Sequence, residues 1–390
     1  MTGVSIVGWA HSPFGKLDDP DTESLISRVV GPAILDAGVD PAEIGGVFVG
    51  QFNSGFSKQD FPSSLPIQSV PALCFTPAVR CENACASGSA AVFAGMDFIR
   101  SGRGRLALVI GVEKMTGATG PQIGDNLLGA SYRREEVDIP AGFAGVFGRI
   151  AEIYFQRFGD QSDALAAIAA KNHRNGVDNP YAQLRKDLGF EFCRTPSDKN
   201  PFVAPPLKRT DCSPVSDGAA ALVLADDETS RALAKAIRFR GNGQASDRLP
   251  MSQRDMTRFA AGEHAWRQAF AEAQVGIGDL SFVETHDCFT IAELIEYETM
   301  GLVPHGKGAI AVLDGWTAAD GRLPVNRSGG LKAKGHPVGA TGVSMHIIAA
   351  MQLAGQAGAM QLPRADLGAV YNMGGSAVAN YVSILEPVRF

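Results

Sequence analysis

The sequence predicts an α/β protein built from two duplicated halves, because the same order of elements occurs twice along the chain. Residues 33–49 and 269–285 align without a gap, and each has the pattern of a helix, a short acidic turn and a buried strand. Residues 87–90 and 341–344 each place small residues at the start of an Ala-rich helical run that a strand follows. Helix-turn-strand units resemble one another in many α/β proteins, but here their order and type recur together. We therefore expect a true internal duplication.

The predicted domain boundaries follow from this duplication. Residues 1–114 form an N-terminal half that residues 211–232 complete, and residues 233–390 form a C-terminal half. Between them, residues 115–210 are rich in Gly, Pro and Arg, with one helix predicted near residues 149–175. A structureless loop of that length is unusual inside a compact domain. We therefore expect a loop domain that folds over the active site.

Cationic side chains of this loop domain are candidates for contacts with substrate phosphates, although a solvated loop surface explains each of them equally well. They are Arg174, Arg185, Lys186, Lys208 and Arg209. The chain has a formal net charge of −6, so an anionic substrate requires a local basic patch of this kind. Neither nucleic acid nor a membrane surface is a predicted partner.

Composition and cysteine usage predict a cytoplasmic enzyme. The 390 residues are 45% hydrophobic and 19% charged, and we expect neither a membrane span nor a signal peptide. The six cysteines lack the spacing of a disulfide framework, which indicates reduced thiols. Cys81 and Cys85 are not followed by a second pair of ligands, so we expect no metal.

Cys85 lies among small residues, in the segment ENACASG, at the start of a predicted helix. Backbone N–H groups and the helix dipole at such a position stabilise a thiolate, and the small neighbours leave room for an acyl group. Considered alone, a cysteine beside Ala and Gly is better explained by simple packing.

Two further segments carry residues that a hydrophobic core does not need. His336 lies in GGLKAKGHPVGATG, where a glycine-rich turn presents one His that is suited to deprotonating a thiol and donating to an oxyanion. His286 and Cys288 follow a buried strand directly, and strand ends are where α/β sheets place active sites. A Cys near a His passes protons when its pKa is tuned, although a core Cys is the alternative.

Together these segments resemble the thiolase superfamily over nearly the whole chain. The resemblance rests on the Cys-x-Ser loop, the Gly-His-Pro loop with its GATG continuation, the DGAAALVL strand and the YNMGG segment. The His-Asp-Cys-Phe stretch at residues 286–289 narrows it to thiolases of the sterol-carrier-protein type. The resemblance implies the five-layer αβαβα thiolase fold, with two mixed sheets that share buried helices.

The resemblance also implies catalytic roles. Cys85 is the nucleophile that carries the acyl group as a thioester, and His336 activates it and helps to bind the thioester oxygen. Cys288 supplies the second acid/base thiol, which most thiolases carry in a C-terminal Cys-x-Gly loop that is Asn372-Met373-Gly374 here. His286 takes the place of an Asn that holds a water in one oxyanion hole.

In the resembled family the backbone amides of Gly374 and Cys85 form the second oxyanion hole. Phe147 and Asn372 are further candidates for substrate contacts. Phe147 lies where many thiolases have a His-Met-Gly segment, which leaves the length and bulk of the acyl chain open. CoA is implied as a substrate, and no bound cofactor or metal is implied.

The implied activity is that of a CoA-dependent acyltransferase, acting in thiolytic cleavage of 3-oxoacyl-CoA or in the reverse Claisen condensation through an acyl-Cys85 thioester. The implied partners are acyl-CoA and CoA, together with further copies of the chain in a homodimer or homotetramer. A small acyl-binding partner protein is an additional candidate.

Three alternatives remain at this point. Cys85, His286 and His336 resemble the Cys-His-His set of a decarboxylating condensing enzyme of the ketoacyl-synthase type, which has no need of Cys288. A retro-aldolase acting on steroid-like CoA esters is another relative, but such proteins lack the nucleophilic Cys. A non-catalytic acyl-CoA-binding subunit of a larger complex is the third, and loss of Cys85 or His336 would have favoured it.

Overall fold

The structure is a computed structural model that describes residues 3–388, and these residues form a mixed α/β protein. The strands are β1 (Val4–His11), β2 (Gly46–Gly50), β3 (Ala78–Cys81), β4 (Leu106–Glu113), β5 (Phe202–Ala204), β6 (Leu207–Lys208), β7 (Gly218–Asp226), β8 (Ile237–Ser246), β9 (Phe282–Thr285), β10 (Gly368–Gly374) and β11 (Ala379–Pro387). The α-helices are α1 (Thr22–Ser27), α2 (Val30–Ala37), α3 (Pro66–Ser69), α4 (Ser87–Arg100), α5 (Gly120–Leu127), α6 (Arg133–Glu136), α7 (Phe143–Phe158), α8 (Ser162–Gly176), α9 (Phe190–Arg194), α10 (Asp227–Ser230), α11 (Ala260–Ala273), α12 (Thr290–Thr299), α13 (Gly308–Leu313), α14 (Gly330–Lys334) and α15 (Val338–Leu353).

One large mixed sheet contains the same strand arrangement twice. From edge to edge its order is β3-β2-β4-β7-β1-β8-β11-β10-β9. In the first half β2 and β4 are parallel, and β7 is antiparallel to both β4 and β1. In the second half β9 and β10 are parallel, and β11 is antiparallel to both β10 and β8. The strands β1, β2, β4 and β7 thus correspond to β8, β9, β10 and β11, which confirms the predicted duplication.

The two segments that align in the sequence also occupy equivalent places in the fold. The first forms the end of α2, a 3₁₀ turn and β2, and the second forms the end of α11, a 3₁₀ turn and β9. Val47 and Val283, which the alignment superposes, each pair in parallel with an outer neighbour. That neighbour is Ala78 of β3 for Val47, but only an isolated bridge at Val325 for Val283. The first half therefore has an additional outer strand, β3, where the second half has only an isolated bridge.

The two half-sheets that the sequence predicts are joined at one point. β1 and β8 pair only at Ser5 with Arg238 and at Ile6 with Ile237. Each of these strands is the edge of its own half-sheet, and an unpaired edge presents free N–H and C=O groups. Pairing the two edges satisfies some of these groups and makes the sheet continuous.

Helices fill the space between the half-sheets and cover their outer faces. α4 packs on β2, β4 and β7, while α15 contacts strands of both halves and lies beside α4. All 16 residues of α15 are buried, as expected of a helix with neighbours on every side. On the outer faces, α2 packs on β1 and β7, and α11 packs on β8 and β11. These elements stack in the five expected layers, αβαβα.

The two central helices approach closely because each has a glycine where they cross. A Cβ on Gly88 of α4 would lie 2.8 Å from the Gly339 carbonyl oxygen, and one on Gly342 of α15 would lie 2.3 Å from the Ser89 nitrogen. Only glycine allows backbones to come this close. Gly88 and Gly342 are aligned in the second sequence repeat, so that repeat marks the crossing itself.

Residues 115–210 contain more regular structure than the sequence indicates. The single helix expected near residues 149–175 is two helices, α7 and α8, because the chain turns at Gly159, whose φ of +85° is incompatible with a right-handed helix. α8 packs against α12 and α14. Within residues 3–388, no helix is both long and apolar enough to cross a membrane.

Candidate active site

Cys85 lies in a tight turn between β3 and α4. Ala84 has φ +50°, in the left-handed region that is strained for a non-glycine residue. The Ser87 hydroxyl holds this turn by accepting from the Asn83 amide at 2.9 Å and donating to the Ala84 carbonyl at 2.6 Å. The turn leaves Cys85 only 3% exposed, beside the crossing of α4 and α15.

Two histidines from the second half lie next to this cysteine. The sulphur of Cys85 and one ring nitrogen each of His286 and His336 lie within 4.8 Å of one another. The two imidazole rings meet edge to face, with centroids 5.1 Å apart. His286 follows β9 and His336 precedes α15. In residues 3–388 this is also the one group of three His, Cys, Asp or Glu side chains spaced closely enough for a metal ion.

Cys288 adds a second buried thiol beside this group. Its side chain is 2% exposed. Burial raises the pKa of Cys288 well above its ordinary value, and the nearby Cys85 thiol and Glu296 carboxyl raise it further. Cys288 is therefore a protonated thiol at neutral pH, the form that gives a proton to a carbanion.

Burial also determines the resting charge of Cys85 and His336. Burial raises the pKa of Cys85 to about 12, although a hydrogen bond from the Gly375 backbone N–H opposes the shift. Burial lowers the pKa of His336 to about 3, and the positive charge of Lys334 lowers it further. The thiolate stabilisation expected at a helix N-terminus is thus outweighed by desolvation, and the resting pair is a thiol and a neutral imidazole.

The hydrogen bonds of His336 leave one ring nitrogen free to act as a base. The Thr341 hydroxyl donates to the Pro337 carbonyl at 3.0 Å, so its oxygen accepts from Nδ1 of His336 at 2.7 Å. This arrangement assigns the ring proton to Nδ1 and the lone pair to Nε2. Nε2 has no hydrogen-bond partner among residues 3–388.

Hydrogen bonds from other segments hold the two histidine loops in place. Asp287, between His286 and Cys288, accepts from the Leu331 amide at 2.6 Å and the Lys332 amide at 3.1 Å. This interaction joins the loop after β9 to α14, which leads directly to His336. The Ser216 hydroxyl accepts from the His336 amide at 2.9 Å and fixes the other side of that turn.

Asn372 is a fully buried residue of β10 that contacts two of the predicted site residues. Its amide nitrogen lies 2.8 Å from Nδ1 of His286 and 3.3 Å from the Cys85 carbonyl oxygen. Asn372 therefore joins the turn of Cys85 to the loop of His286, and its contact with substrate stays a prediction.

The end of β10 lies directly against the turn that carries Cys85. A Cβ on Gly374 would lie 2.1 Å from the Asn83 carbonyl oxygen, so only glycine fits there. The amide that donates to the Cys85 sulphur belongs to Gly375, which the sequence analysis did not identify. The two consecutive glycines after Met373 are the sequence signal for a close backbone approach at this position.

Phe147 lies in an aromatic cluster next to the second thiol. It is fully buried, and its ring stacks on that of Phe289 with centroids 4.4 Å apart and planes 19° apart. Phe143 meets Phe147 edge-on at 5.6 Å, one turn earlier on α7. Since Phe289 directly follows Cys288, this stack packs α7 against a catalytic loop.

Glu113 is a buried carboxyl that the sequence analysis missed. It accepts from the amides of Phe52 at 2.9 Å, Asn53 at 3.0 Å and Gly339 at 3.0 Å, and burial raises its pKa to about 7. These bonds tie the ends of β2 and β4 to the start of α15. An acidic residue at the end of the apolar strand LALVIGVE was the available signal.

Alkylation of Cys85 by iodoacetamide reports the resting charge of the site. Because the pKa of Cys85 is raised to about 12, the thiolate fraction should grow as pH rises, and the rate should increase about tenfold per pH unit from about pH 6 to pH 10. The Cys85→Ala variant measures the background from the exposed Cys74. A rate plateau reached near pH 7 would instead show a preformed thiolate–imidazolium pair.

Comparisons with known families account for almost the whole chain. Residues 4–190 match the family described as "Thiolase, N-terminal domain", and residues 243–387 match "Thiolase C-terminal domain-like". An acetyl-CoA acetyltransferase of Methanothermobacter thermautotrophicus is 36% identical over 389 residues, which cover 99% of this chain and 100% of that protein. Human sterol carrier protein 2 is 32% identical, with 96% of this chain and 70% of that protein covered.

Solved structures show the same fold at low identity. A chain of the Ltp2-ChsH2(DUF35) aldolase superposes with a TM-score of 0.83 at 19% identity, covering 100% of this chain and 98% of that one. A monomeric SCP2-thiolase like protein from Mycobacterium smegmatis superposes with a TM-score of 0.73 at 18% identity, covering 98% of this chain and 76% of that one. The predicted fold and the predicted family are confirmed. The chain therefore belongs to the thiolase family.

Proposed function

We propose that this chain is a CoA-dependent acyltransferase that cleaves 3-oxoacyl-CoA by thiolysis, or forms it by the reverse Claisen condensation, through a thioester on Cys85. The observation that carries this proposal is the convergence of Cys85, His286 and His336 within 4.8 Å, with Cys288 beside them. The similarity to proteins named acetyl-CoA acetyltransferase supports the same class of reaction. The second thiol favours it over a decarboxylating condensing enzyme.

The first half of the reaction breaks the carbon–carbon bond. Nε2 of His336 takes the proton of the Cys85 thiol, and the thiolate adds to the 3-oxo carbon of the substrate. The bond between C2 and C3 then breaks, leaving the acyl group on Cys85 and the enolate of acetyl-CoA. Cys288 gives its proton to the enolate carbon, and acetyl-CoA leaves.

The second half transfers the acyl group to CoA. The Cys288 thiolate takes the proton of the CoA thiol, and the CoA sulphur attacks the thioester on Cys85. Cys85 leaves as a thiolate and recovers its proton from the His336 imidazolium. Every group regains its resting proton, and one 3-oxoacyl-CoA and one CoA become two acyl-CoA products.

Preformed hydrogen-bond donors lower both barriers. In this mechanism the amides of Cys85 and Gly374 stabilise the oxygen of the tetrahedral adduct, while the protonated His336 donates to the enolate oxygen. Removal of one such donor costs about 2.7–4 kcal/mol in known oxyanion holes. Because Cys85 is only 3% exposed, these donors act in a dry environment where hydrogen bonds are stronger.

A cationic cavity of about 750 Å³ is the proposed CoA site. Five of its lining side chains are cationic and none is acidic: Arg185, Lys186, Lys199, Arg209 and Lys332. Two backbone contacts connect it to the second thiol, because Ser213 donates to the Cys288 carbonyl at 2.9 Å and Cys212 bridges to Phe289. In this proposal the CoA phosphates bind the cationic side chains of the cavity. The CoA thiol then extends toward the loop that carries Cys288, beneath the loop domain of residues 115–210.

The candidate phosphate contacts of the sequence analysis divide between cavities. Arg185, Lys186 and Arg209 line the cationic cavity. Lys208 is buried in an ion pair with Asp211 at 2.8 Å, and Arg174 pairs with Asp187 at 3.3 Å and lines a different cavity. The proposed CoA contacts are therefore the first three, together with Lys199.

We also propose that a second copy of the chain pairs along β3. β3 is an outer strand of the large sheet, and its edge carries unpaired backbone groups. Exposed apolar side chains surround it, with Phe75 98%, Phe61 70% and Val79 47% exposed. Antiparallel pairing of two such edges joins the two sheets and covers these side chains.

The compartment and the need for another protein remain proposals. All six cysteines are free thiols, which fits the reducing environment of the cytoplasm. One structural relative, the Ltp2-ChsH2(DUF35) aldolase, is named together with a DUF35 protein. For this chain a small acyl-binding partner is a candidate only, and turnover by the purified chain alone would show that none is required.

Incubation with acetyl-CoA should add one acetyl group to Cys85, because this acyl transfer is the reverse of the second half of the reaction. Intact mass and peptide mapping measure this. Replacing Cys288 with Ala should still allow acetylation of Cys85, at a lower rate because the departing CoA thiolate then takes its proton from water, but should lower carbon–carbon cleavage at least 100-fold, since the enolate lacks its proton donor. Acetylation at any other residue, or full thiolysis by Cys288→Ala, would contradict the proposed roles.

Arg209→Ala should raise KM for CoA about tenfold with kcat little changed, because one charged hydrogen bond to a phosphate is lost. The penalty should vanish when pantetheine, which has no such phosphates, replaces CoA as the acyl acceptor. Arg174→Ala is the matched control, since Arg174 lines another cavity. Equal effects of the two substitutions, or a penalty that persists with pantetheine, would exclude this cavity as the CoA site.

Sedimentation should give twice the chain mass of 41.0 kDa, and Phe75→Asp combined with Val79→Asp should give the single chain, because charges oppose burial of this edge. Leu35→Asp is the control, because Leu35 is 81% exposed on the distant helix α2. A dimer that survives both substitutions at β3 would place the interface elsewhere.

A further inference from the structure

Asn172 links the loop domain to the segment that carries the second thiol. This residue of α8 is fully buried, and its side-chain nitrogen donates to Asp287 at 2.7 Å and to Glu293 at 2.6 Å. Asp287 directly precedes Cys288, and Glu293 lies in the first turn of α12, just after the loop of residues 286–289. Asn172 therefore joins this loop to the helix that follows it.

The two carboxyls determine the orientation of the Asn172 amide. The Asp287 oxygen that faces it also accepts from the Lys332 amide. The Glu293 oxygen that faces it also accepts from the Asn326 side chain. The NH₂ group of Asn172 therefore points at both carboxyls and uses both of its N–H bonds. Its side-chain oxygen is left buried without a hydrogen-bond partner among residues 3–388, which destabilises the fold unless the two N–H bonds are needed.

Asp287 and Glu293 form a buried pair of like charges. Burial raises the pKa of Asp287, and the negative charge of Glu293 raises it further. Repulsion of this kind favours uptake of a proton by one carboxyl or displacement of the two groups. Lys171, also on α8, neutralises one charge by donating to Glu293 at 2.5 Å. Asn172 donates to both carboxyls and so reduces the remaining repulsion without adding a charge.

The carboxyl of Asp287 also holds α14 in place. It accepts from the amides of Leu331 and Lys332, in the first turn of that helix. Asn172 contacts the same carboxyl from α8, so Asp287 is fixed from two sides. The next residue is Cys288, and the planar peptide bond that joins the two transmits the position of Asp287 to the thiol.

We propose that Asn172 is a positioning residue for Cys288. By holding Asp287 and Glu293 side by side, it keeps the second thiol where that thiol gives its proton to the enolate carbon. This inference rests on the proposed function. Asn172 acts through Asp287 and touches no substrate atom. In this role the loop domain does more than cover the site, because its helix α8 sets the position of the acid/base group.

Asn172→Leu tests the inference, because it removes both donors and keeps a side chain of similar size. Each carboxyl oxygen that loses Asn172 retains another donor, so the fold should survive. That donor is the Lys332 amide at 3.1 Å for Asp287 and the Asn326 side chain at 3.0 Å for Glu293. The kcat for cleavage of acetoacetyl-CoA should fall about 10- to 100-fold with KM little changed, as expected of a slightly displaced proton donor.

The nucleophile and a neighbouring Asn provide the comparisons. Alkylation of Cys85 by iodoacetamide should stay within about twofold in Asn172→Leu, because it does not involve the second thiol. Asn175→Leu is the matched control. Asn175 is a buried residue of the same helix, and it donates to the Asn326 backbone carbonyl at 3.0 Å, outside the loop of residues 286–289. This control should keep kcat within about threefold.

A double-mutant cycle shows whether Asn172 acts through Asp287. Asp287→Asn removes one of the two like charges, so the further change Asn172→Leu should then lower kcat less than about threefold. The double variant contains one buried charge fewer, so its comparison with Asp287→Asn remains possible even if Asn172→Leu alone does not fold.

The outcomes are distinct. Unchanged kcat in Asn172→Leu, equal loss of kcat and of Cys85 alkylation, an equal loss of kcat in Asn175→Leu, or a loss that persists in full in the Asp287→Asn background would each overturn the role of Asn172. Failure of the proposed function itself appears differently, because the unmodified protein would then neither acquire an acetyl group on Cys85 nor cleave acetoacetyl-CoA.

Discussion

The close crossing of α4 and α15 is the contact on which the rest of the site depends. Gly88 and Gly342 let the two backbones meet at distances that any side chain would prevent, since their Cβ atoms would lie 2.8 Å and 2.3 Å from atoms of the other helix. Both glycines lie in the first turns of their helices, so the crossing brings the two N-terminal loops together. One loop carries Cys85 and the other carries His336. A site assembled by backbone contact is rigid, because the helices cannot separate without exposing buried sheet surface on both sides.

Burial around this crossing then sets the chemistry. Because desolvation raises the pKa of Cys85 to about 12 and lowers that of His336 to about 3, the site contains no resting charge on its reacting atoms. A neutral thiol is a weak nucleophile, but it is also protected from water and from chance electrophiles. Charge develops only when a carbonyl carbon is present to receive the thiolate. At that moment the proposed hydrogen-bond donors around the site act in a medium of low dielectric constant, where hydrogen bonds are stronger.

Much of this arrangement can be predicted from the sequence, and the limits have a clear physical cause. The repeat at Gly88 and Gly342 and the glycine-rich loops are local patterns, so the duplication and the position of Cys85 follow from them, while the five layers were implied by the family resemblance. The orientation of side chains does not. Asn372 contacts His286, 86 residues earlier in the chain, and no local sequence pattern around Asn372 indicates that partner. The same holds for the join between β1 and β8, which exists because two edges meet in space. Gly159 is different, because a glycine inside a helical pattern is itself a local signal of the break between α7 and α8.

The duplicated fold has two equivalent helix N-termini at the site, and their side-chain hydrogen bonds differ. In the aligned turns, Ser87 and Thr341 play the same structural part: each hydroxyl donates to a carbonyl of the turn before its helix. What each oxygen accepts differs. Ser87 accepts from the backbone of Asn83 and so shapes the nucleophile turn, whereas Thr341 accepts from the ring of His336 and so selects a base. A symmetric pair of loops would present two thiols or two bases at the crossing, and neither combination transfers an acyl group. The pseudo-symmetric scaffold therefore brings the two loops close together. The different hydrogen bonds that the equivalent hydroxyls accept make one loop the nucleophile and the other the base.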